Sequence, residues 1–237
     1  MSTEKQFFAE LLHQKNPLLD TIIEYNRLLP SRIAHHAATP EARPFLLCAP
    51  SLANRAGARG PLAAFGRAGA YPGLFSPAIQ TRWFCDFRVP RHRLALLPPE
   101  ALDRLAALFG LVQYRREIAM IINREKALAL REALGEDAYD FALKRATLLP
   151  QDANSAAEPQ TSPLERRIYI SGRKALARVL GDAPAELLAR LRLTMSPDFL
   201  ADFDSLPPNS GTAETAWRLL HILVCKEIAP SWHKYFI

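Results

Sequence analysis

The chain has 237 residues, of which 49% are hydrophobic and 23% charged, the composition of an ordinary globular protein rather than a disordered or fibrous one. Its formal net charge is +6, and one segment supplies all of it. Arg43 to Arg93 holds eight arginines, no lysine and a single acid, Asp86, for a charge of +7, so the rest of the chain carries −1. No apolar run reaches the roughly 18–20 residues that span a bilayer, and Met1 to Glu10 lacks the basic start and apolar core of a secretory signal. Membrane insertion is therefore not expected, and the sequence reads as that of a soluble intracellular protein.

Helical periodicity dominates in chain order. Phe7, Phe8, Leu11 and Leu12 sit at helical spacing. Asn16-Pro17 supplies an N-cap and a first-turn proline for a helix over Leu18 to Leu29, which Pro30-Ser31 is expected to break, with a short helix over Arg32 to Ala38. From Thr39 to Pro90, glycine- and proline-rich runs such as Gly57-Ala58-Arg59-Gly60-Pro61 predict loop and turns. The aromatics there, including Phe65, Tyr71, Phe75, Trp83, Phe84 and Phe87, exceed what a disordered linker carries. Part of the stretch should fold back on the body, with Arg82 to Val89 as the best strand candidate.

Pro98-Pro99-Glu100 opens a helix with the stripe Leu102, Leu105, Ala106 and Phe109, expected to close at Gly110. A second helix follows over Leu111 to Ile122, with Arg115, Arg116 and Glu117 outward and Ile118, Ile121 and Ile122 inward. Helices over Lys126 to Leu134 and Glu136 to Leu149 are separated by Gly135, and Pro150 to Thr161 is a polar linker. Ser162-Pro163-Leu164-Glu165 matches a capping box for a helix running to Leu180, near Gly181. Further helices start at Pro184 and at Ser196-Pro197. The last spans Ala213 to Ile228, with Trp217, Leu220, Val224 and Ile228 inward, a stop at Pro230 and an aromatic tail of Trp232, Tyr235 and Phe236. The fold class is all-α: a compact multi-helix domain with an irregular Gly/Pro/Arg-rich segment in its N-terminal half. The organisation reads as N-terminal helices over 1–38, the irregular segment over 39–93 and a helical core over 94–237, forming one cooperative domain.

Motifs that carry chemistry are missing. There is no HExxH, Walker A, dinucleotide-binding glycine pattern or nucleophile elbow. Ser171-Gly172-Arg173-Lys174 matches SxxK, but no partner motif follows, and Gly172 fits better as a point of close helix approach. His35 and His36 diverge around a helix, and His13, His92, His221 and His233 have no ligand cluster near them. Glu136-Asp137 sits at a helix start, where the macrodipole explains it. Cys48, Cys85 and Cys225 are odd in number and far apart, giving neither a disulfide framework nor a metal pair. The chain is expected to be no enzyme, with no metal and no cofactor.

Arg82, Arg88, Arg91 and Arg93 interleave with Trp83, Phe84 and Phe87. Such a mixture can grip phosphates and stack on bases, can dock on an acidic protein surface, or can be a solvated loop. The candidate protein-docking residues are Arg82, Trp83, Arg88, Arg91 and Arg93, together with Trp232 and Tyr235 of the tail.

The run Leu94-Ala95-Leu96-Leu97-Pro98 with Gly110-Leu111-Val112-Gln113-Tyr114-Arg115-Arg116-Glu117-Ile118 resembles the SctK (YscK/PscK) family of type III secretion proteins. So do Ile170-Ser171-Gly172-Arg173-Lys174-Ala175-Leu176, Leu191-Arg192-Leu193, and His221 to Ile228 followed by Ala229-Pro230-Ser231-Trp232-His233-Lys234-Tyr235-Phe236. The similarity covers residues 94–237, with a weaker echo over 16–37. It implies a cytoplasmic, non-catalytic adaptor of the injectisome sorting platform, at the inner-membrane base of the apparatus. Its implied partners are the cytoplasmic domain of the ring protein SctD and the SctQ pods, which lead through SctL to the ATPase. Alone, it is expected as a monomer or weak dimer. The resemblance supplies no residue-level site, and the 43–93 segment departs from it. A helical nucleic-acid-binding regulator using that segment is the alternative.

Overall fold

The computed structural model describes residues 3–14, 16–38, 84–151, 162–205 and 213–236. The glycine- and proline-rich stretch 39–83 and the linker 152–161 lie outside them. Every regular element among the described residues is helical, so the all-α class holds. The nine α-helices described are α1 (Thr3–His13), α2 (Pro17–Ala38), α3 (Pro99–Ala119), α4 (Arg124–Leu134), α5 (Glu136–Lys144), α6 (Leu164–Leu180), α7 (Ala185–Arg192), α8 (Pro197–Asp204) and α9 (Ala213–Leu223). The chain forms two compact units, one of residues 1–96 with 183–200 and one of residues 97–182 with 201–237.

In the first unit, Asn16 caps α2 as expected: its Oδ1 accepts from the Leu18 amide at 3.0 Å. Helix α2 runs unbroken through Pro30 to Ala38, against the break expected there. A proline inside a helix removes one backbone rung, which the turns on either side can carry. Leu11, Leu18, Ile22 and Tyr25 are buried, and Tyr25 meets Phe87 edge-on at 5.8 Å. Phe87 in turn meets Phe84 edge-on at 5.1 Å.

No strand forms over the described part of the predicted one. Residues 84–88 are irregular and lead into a 3-10 helix, Pro90–Leu96. The reason lies in Asn26, a buried side chain that does what a neighbouring strand would do. Its Oδ1 accepts from the Phe84 amide at 2.8 Å, and its Nδ2 donates to the Phe84 carbonyl at 2.9 Å. The same Oδ1 accepts from Arg190 Nη1 at 2.9 Å, tying α7 to α2. Helix α8 starts on a serine cap, where the Phe199 amide donates to Ser196 Oγ at 3.3 Å.

The second unit is built around α3. Leu105 to Val112 are buried without interruption, so this stretch is covered on all sides and acts as the axis of the unit. Gly110 does not end the helix as expected; α3 continues to Ala119. Gly110 lies where α3 crosses α6, and a Cβ there would fall 2.0 Å from the Ile168 carbonyl oxygen. Gly172 on α6 is its counterpart, where a Cβ would fall 1.8 Å from the Ala106 carbonyl oxygen. Ala106/Gly110 and Ile168/Gly172 are each one helical turn apart, so the two backbones touch along a four-residue seam. The close approach expected of Gly172 is thus present.

Because α3 ends at Ala119, Ile121 and Ile122 belong to a connection rather than an inward stripe. Ile121 is half-buried and Ile122 is 97% exposed. Asn123 caps α4 by accepting from the Lys126 amide at 3.1 Å. Gly135 separates α4 from α5 at φ +82° and ψ 154°, a conformation essentially reserved for glycine. The capping box at Ser162 does not form. The cap residue of α6 is Pro163, and the Ser162 carbonyl instead accepts from Arg167 Nε at 3.2 Å.

Helix α9 gives way at Leu223 to a single wide π turn, Val224–Ile228, closed by the Ala229 amide donating to the Val224 carbonyl at 2.8 Å. The buried face is Ala216, Leu219, Leu220, Leu223 and Val224. Of the stripe read from sequence, Leu220 and Val224 are on it, while Trp217 and Ile228 flank it half-buried.

Candidate docking surfaces

The predicted docking residues fall into two groups. Arg82 and Trp83 lie outside the described residues. Arg88 is exposed and clamps Asp86 with two bonds of 2.8 Å, from Nε to Oδ1 and from Nη2 to Oδ2. That clamp holds the Asp86 carboxyl below its ordinary pKa. Arg91 is half-buried. Arg93 points inward: it is 8% exposed, and its Nε donates to the Phe87 carbonyl at 2.8 Å. Burial lowers its pKa, and its guanidinium also bonds the Arg88 carbonyl at 3.3 Å. It braces the loop from within and is not a surface contact, because buried guanidinium donors must be satisfied by the chain itself.

In the second unit, Pro230–Tyr235 forms a 3-10 turn that folds the aromatic tail back on α9. Trp217 and His221, one turn apart, stack at 5.4 Å, and both meet the buried Phe236 edge-on, at 5.5 Å and 5.1 Å. His221 Nε2 is enclosed without a hydrogen-bond partner, and burial followed by nearby His233 depresses its pKa. Trp232 and Tyr235 pack together at 5.4 Å, with Lys234 Nζ 5.3 Å from the Tyr235 ring. Both rings are half-buried, so each offers an edge outward while the other side is fixed.

The SxxK serine gains nothing from this setting. Ser171 is buried beside the α3–α6 seam, where its neighbour Gly172 makes the contact. Among the described residues, no group of three or more His, Cys, Asp or Glu side chains is placed to hold a metal ion.

Sequence reasoning missed a groove of about 530 Å³ in the second unit. Its apolar and aromatic lining is Ala107 and Leu108 of α3, Leu134 of α4, Ala138 and Phe141 of α5 and Tyr169 of α6. Four carboxylates line it, Asp103, Glu136, Asp137 and Glu227, against two arginines, Arg104 and Arg145. Asp103 shares Arg173 with Asp202, at 3.4 Å and 2.9 Å. Arg145 spans the wall: its Nη1 is 2.6 Å from Glu227 Oε2, and its guanidinium carbon lies 5.3 Å from the centre of the Phe141 ring. The signals for this groove were in the sequence as Gly135 and Glu136-Asp137. What was illegible was the π turn, which brings Glu227 to a helix 82 residues earlier in the chain.

No described helix is long and apolar enough to cross a membrane. No curated protein and no solved structure shows significant similarity to the chain. The family model described as YOP proteins translocation protein K (YscK) matches residues 79–232, well over half of the chain. That span takes in the α3–α6 seam and the groove, reaches back into the arginine-rich segment as far as residue 79, and includes Trp232 alone of the three tail aromatics. The chain belongs to the YscK family, accessory proteins of the type III secretion system.

Proposed function

We propose that the protein is a non-enzymatic adaptor of the type III secretion sorting platform. It links the cytoplasmic domain of the inner-membrane ring protein SctD to the SctQ pods, working on the cytoplasmic side at the base of the apparatus. Family membership is the observation that carries this reading. The architecture agrees with it. The SxxK serine is buried, and the polar side chains with the most elaborate geometry, Asn26, Arg93 and Arg167, bond the chain's own backbone and side chains. Half-buried rings at Trp232 and Tyr235, anchored on one side, suit contacts that form and dissolve, as interface aromatics do.

Co-purification tests it. The full chain, mixed at about 10 μM with the SctD cytoplasmic domain and separately with SctQ, is expected to retain each through size-exclusion chromatography. Retention of neither by a well-folded sample overturns the adaptor reading.

A further inference from the structure

We infer that the connection between α3 and α4 is a peripheral membrane contact, seating Met120 and Ile122 among the headgroups of an anionic lipid surface. The contact stays at headgroup level and crosses nothing. It goes beyond the adaptor reading and does not rest on it.

The first observation is where apolar surface meets water. Met120 is 73% exposed, Ile122 97% and Leu128 51%, three large apolar side chains within nine residues of the second unit. Single exposed apolar residues need no explanation, but a cluster of them marks a contact surface. The connection is held in place by its own hydrogen bonds. The Met120 amide donates to the Arg116 carbonyl at 3.1 Å, and the Ile121 amide to the Ile118 carbonyl at 3.2 Å. The Asn123 cap then fixes the start of α4. Ile122 is thus presented as a set point. Exposed Leu148 is pinned to the same end of α3, where Arg115 Nη1 donates to the Ala146 and Leu149 carbonyls on either side of it.

The second observation is the charge around that point. Arg116 lies one turn before Met120, and Arg124 and Lys126 occupy the first turn after Ile122; all three are exposed. None of the three has an acid partner among the described residues. Of the acids in the same stretch, Glu117 is taken up by Arg167, which leaves Glu125 alone against three cations. Burial lowers the pKa of Arg115 and the neighbouring Arg116 lowers it further, so positive charge is crowded here without being cancelled. An apolar point ringed by free cations matches a surface that is apolar within and anionic outside, which is acyl chain beneath acidic headgroups. The long basic side chains can reach those headgroups while the apolar tips sink past them.

Other occupants fit worse. A second copy meeting the same face would set these cations against their own counterparts. Nucleic acid would use the cations and leave Met120 and Ile122 in water. An acidic protein would have to supply a pocket shaped to a projecting side chain, whereas a fluid bilayer accepts a convex point of any shape.

Sedimentation of the full chain with vesicles tests the contact. One set is phosphatidylcholine alone, and the other contains about 30% phosphatidylglycerol. Partition onto the anionic set is expected to be at least about tenfold stronger. The 43–93 segment is also basic, so the deciding variant changes no charge. Met120→Ser/Ile122→Ser, at two exposed positions, is expected to lose at least about fivefold in that partition, with an unchanged circular dichroism spectrum. The triple variant Arg116→Gln/Arg124→Gln/Lys126→Gln is expected to lose at least as much. Equal partition onto the two sets overturns the contact. So does a serine variant that binds like the wild type, which would assign the attraction to the basic segment. A wild-type chain that sediments with neither set also overturns it. If the serine variant then fails to retain SctD or SctQ, the exposed point is a protein contact instead.

Discussion

Asn26 makes four hydrogen bonds with one amide side chain. Its Nδ2 donates to the Ile22 and Phe84 carbonyls, and its Oδ1 accepts from the Phe84 amide and from Arg190 Nη1. Asn26 and Arg190 are both buried, so no solvent can replace any of these bonds. A hydrogen bond contributes modestly when made, but a buried group left without one carries its full desolvation penalty. Asn26→Ala strands two donors and one tertiary acceptor together, one donor being a charged guanidinium. The variant is expected to lose about 3 kcal/mol or more in urea-induced unfolding. A loss below about 1 kcal/mol would mean that the loop at Phe84 is held by its aromatic contacts instead. Arg167 is a comparable case on the other unit, facing Tyr114 at 5.1 Å and engaging both oxygens of Glu117, which raises its pKa despite burial. Neither partnership was legible in the sequence. Asn26 and Phe84 are 58 residues apart, and no local pattern marks a polar residue on a helix as a substitute for a strand.

Helix α3 and its seam with α6 show what local pattern reaches and where it stops. Leu102, Leu105, Ala106 and Phe109 are buried as their spacing predicts, because period 3.6 reports a buried face whatever the partner is. The end of the helix was misplaced for a physical reason. Glycine is the usual residue just past a helix C-terminus, and also the residue that lets two backbones touch, and local sequence does not separate the two uses. Gly172 was legible because its surroundings are strongly helical on both sides. The same ambiguity explains the C-terminal stripe, where a π turn shifts the phase that an α-helical period assumes. The seam gives a direct test. Alanine is favoured over glycine by about 1 kcal/mol inside a helix, so Gly172→Ala would stabilise an open site. Here the added Cβ would meet backbone atoms of Ala106, the nearest at 1.8 Å, and backbone yields only by moving a whole helix. Gly110→Ala meets Ile168 in the same way. Each substitution is expected to destabilise by about 3 kcal/mol or more in thermal or urea unfolding, and neither to raise the melting temperature. A neutral or stabilising result at either position would show that the helices do not pack in backbone contact.

For the whole molecule, the charge bears on the proposed adaptor role and on its nucleic-acid-binding rival. The net +6 comes from the 43–93 segment, and the remainder of the chain carries −1. Of the three arginines in that segment whose places are described, Arg91 is half-buried and the other two are engaged by the chain itself, Arg88 by Asp86 and Arg93 against backbone carbonyls. Neither is arranged to follow a phosphate backbone, which needs several cations exposed along one face. The rest of the chain is close to neutral, so it adds no long-range attraction for phosphate. Any attraction to nucleic acid should therefore be the sequence-independent kind that comes from the basic segment alone. Affinity for a mixed-sequence duplex is expected to be no tighter than about 1 μM at about 0.15 M salt, and to fall steeply as salt rises. Replacing Arg43, Arg55, Arg59 and Arg67 with glutamine should remove what binding there is at low salt, while leaving retention of SctD and SctQ intact. Binding tighter than about 0.1 μM at that salt, with a preference among duplex sequences, would reverse the assignment and make the basic segment a nucleic-acid reader.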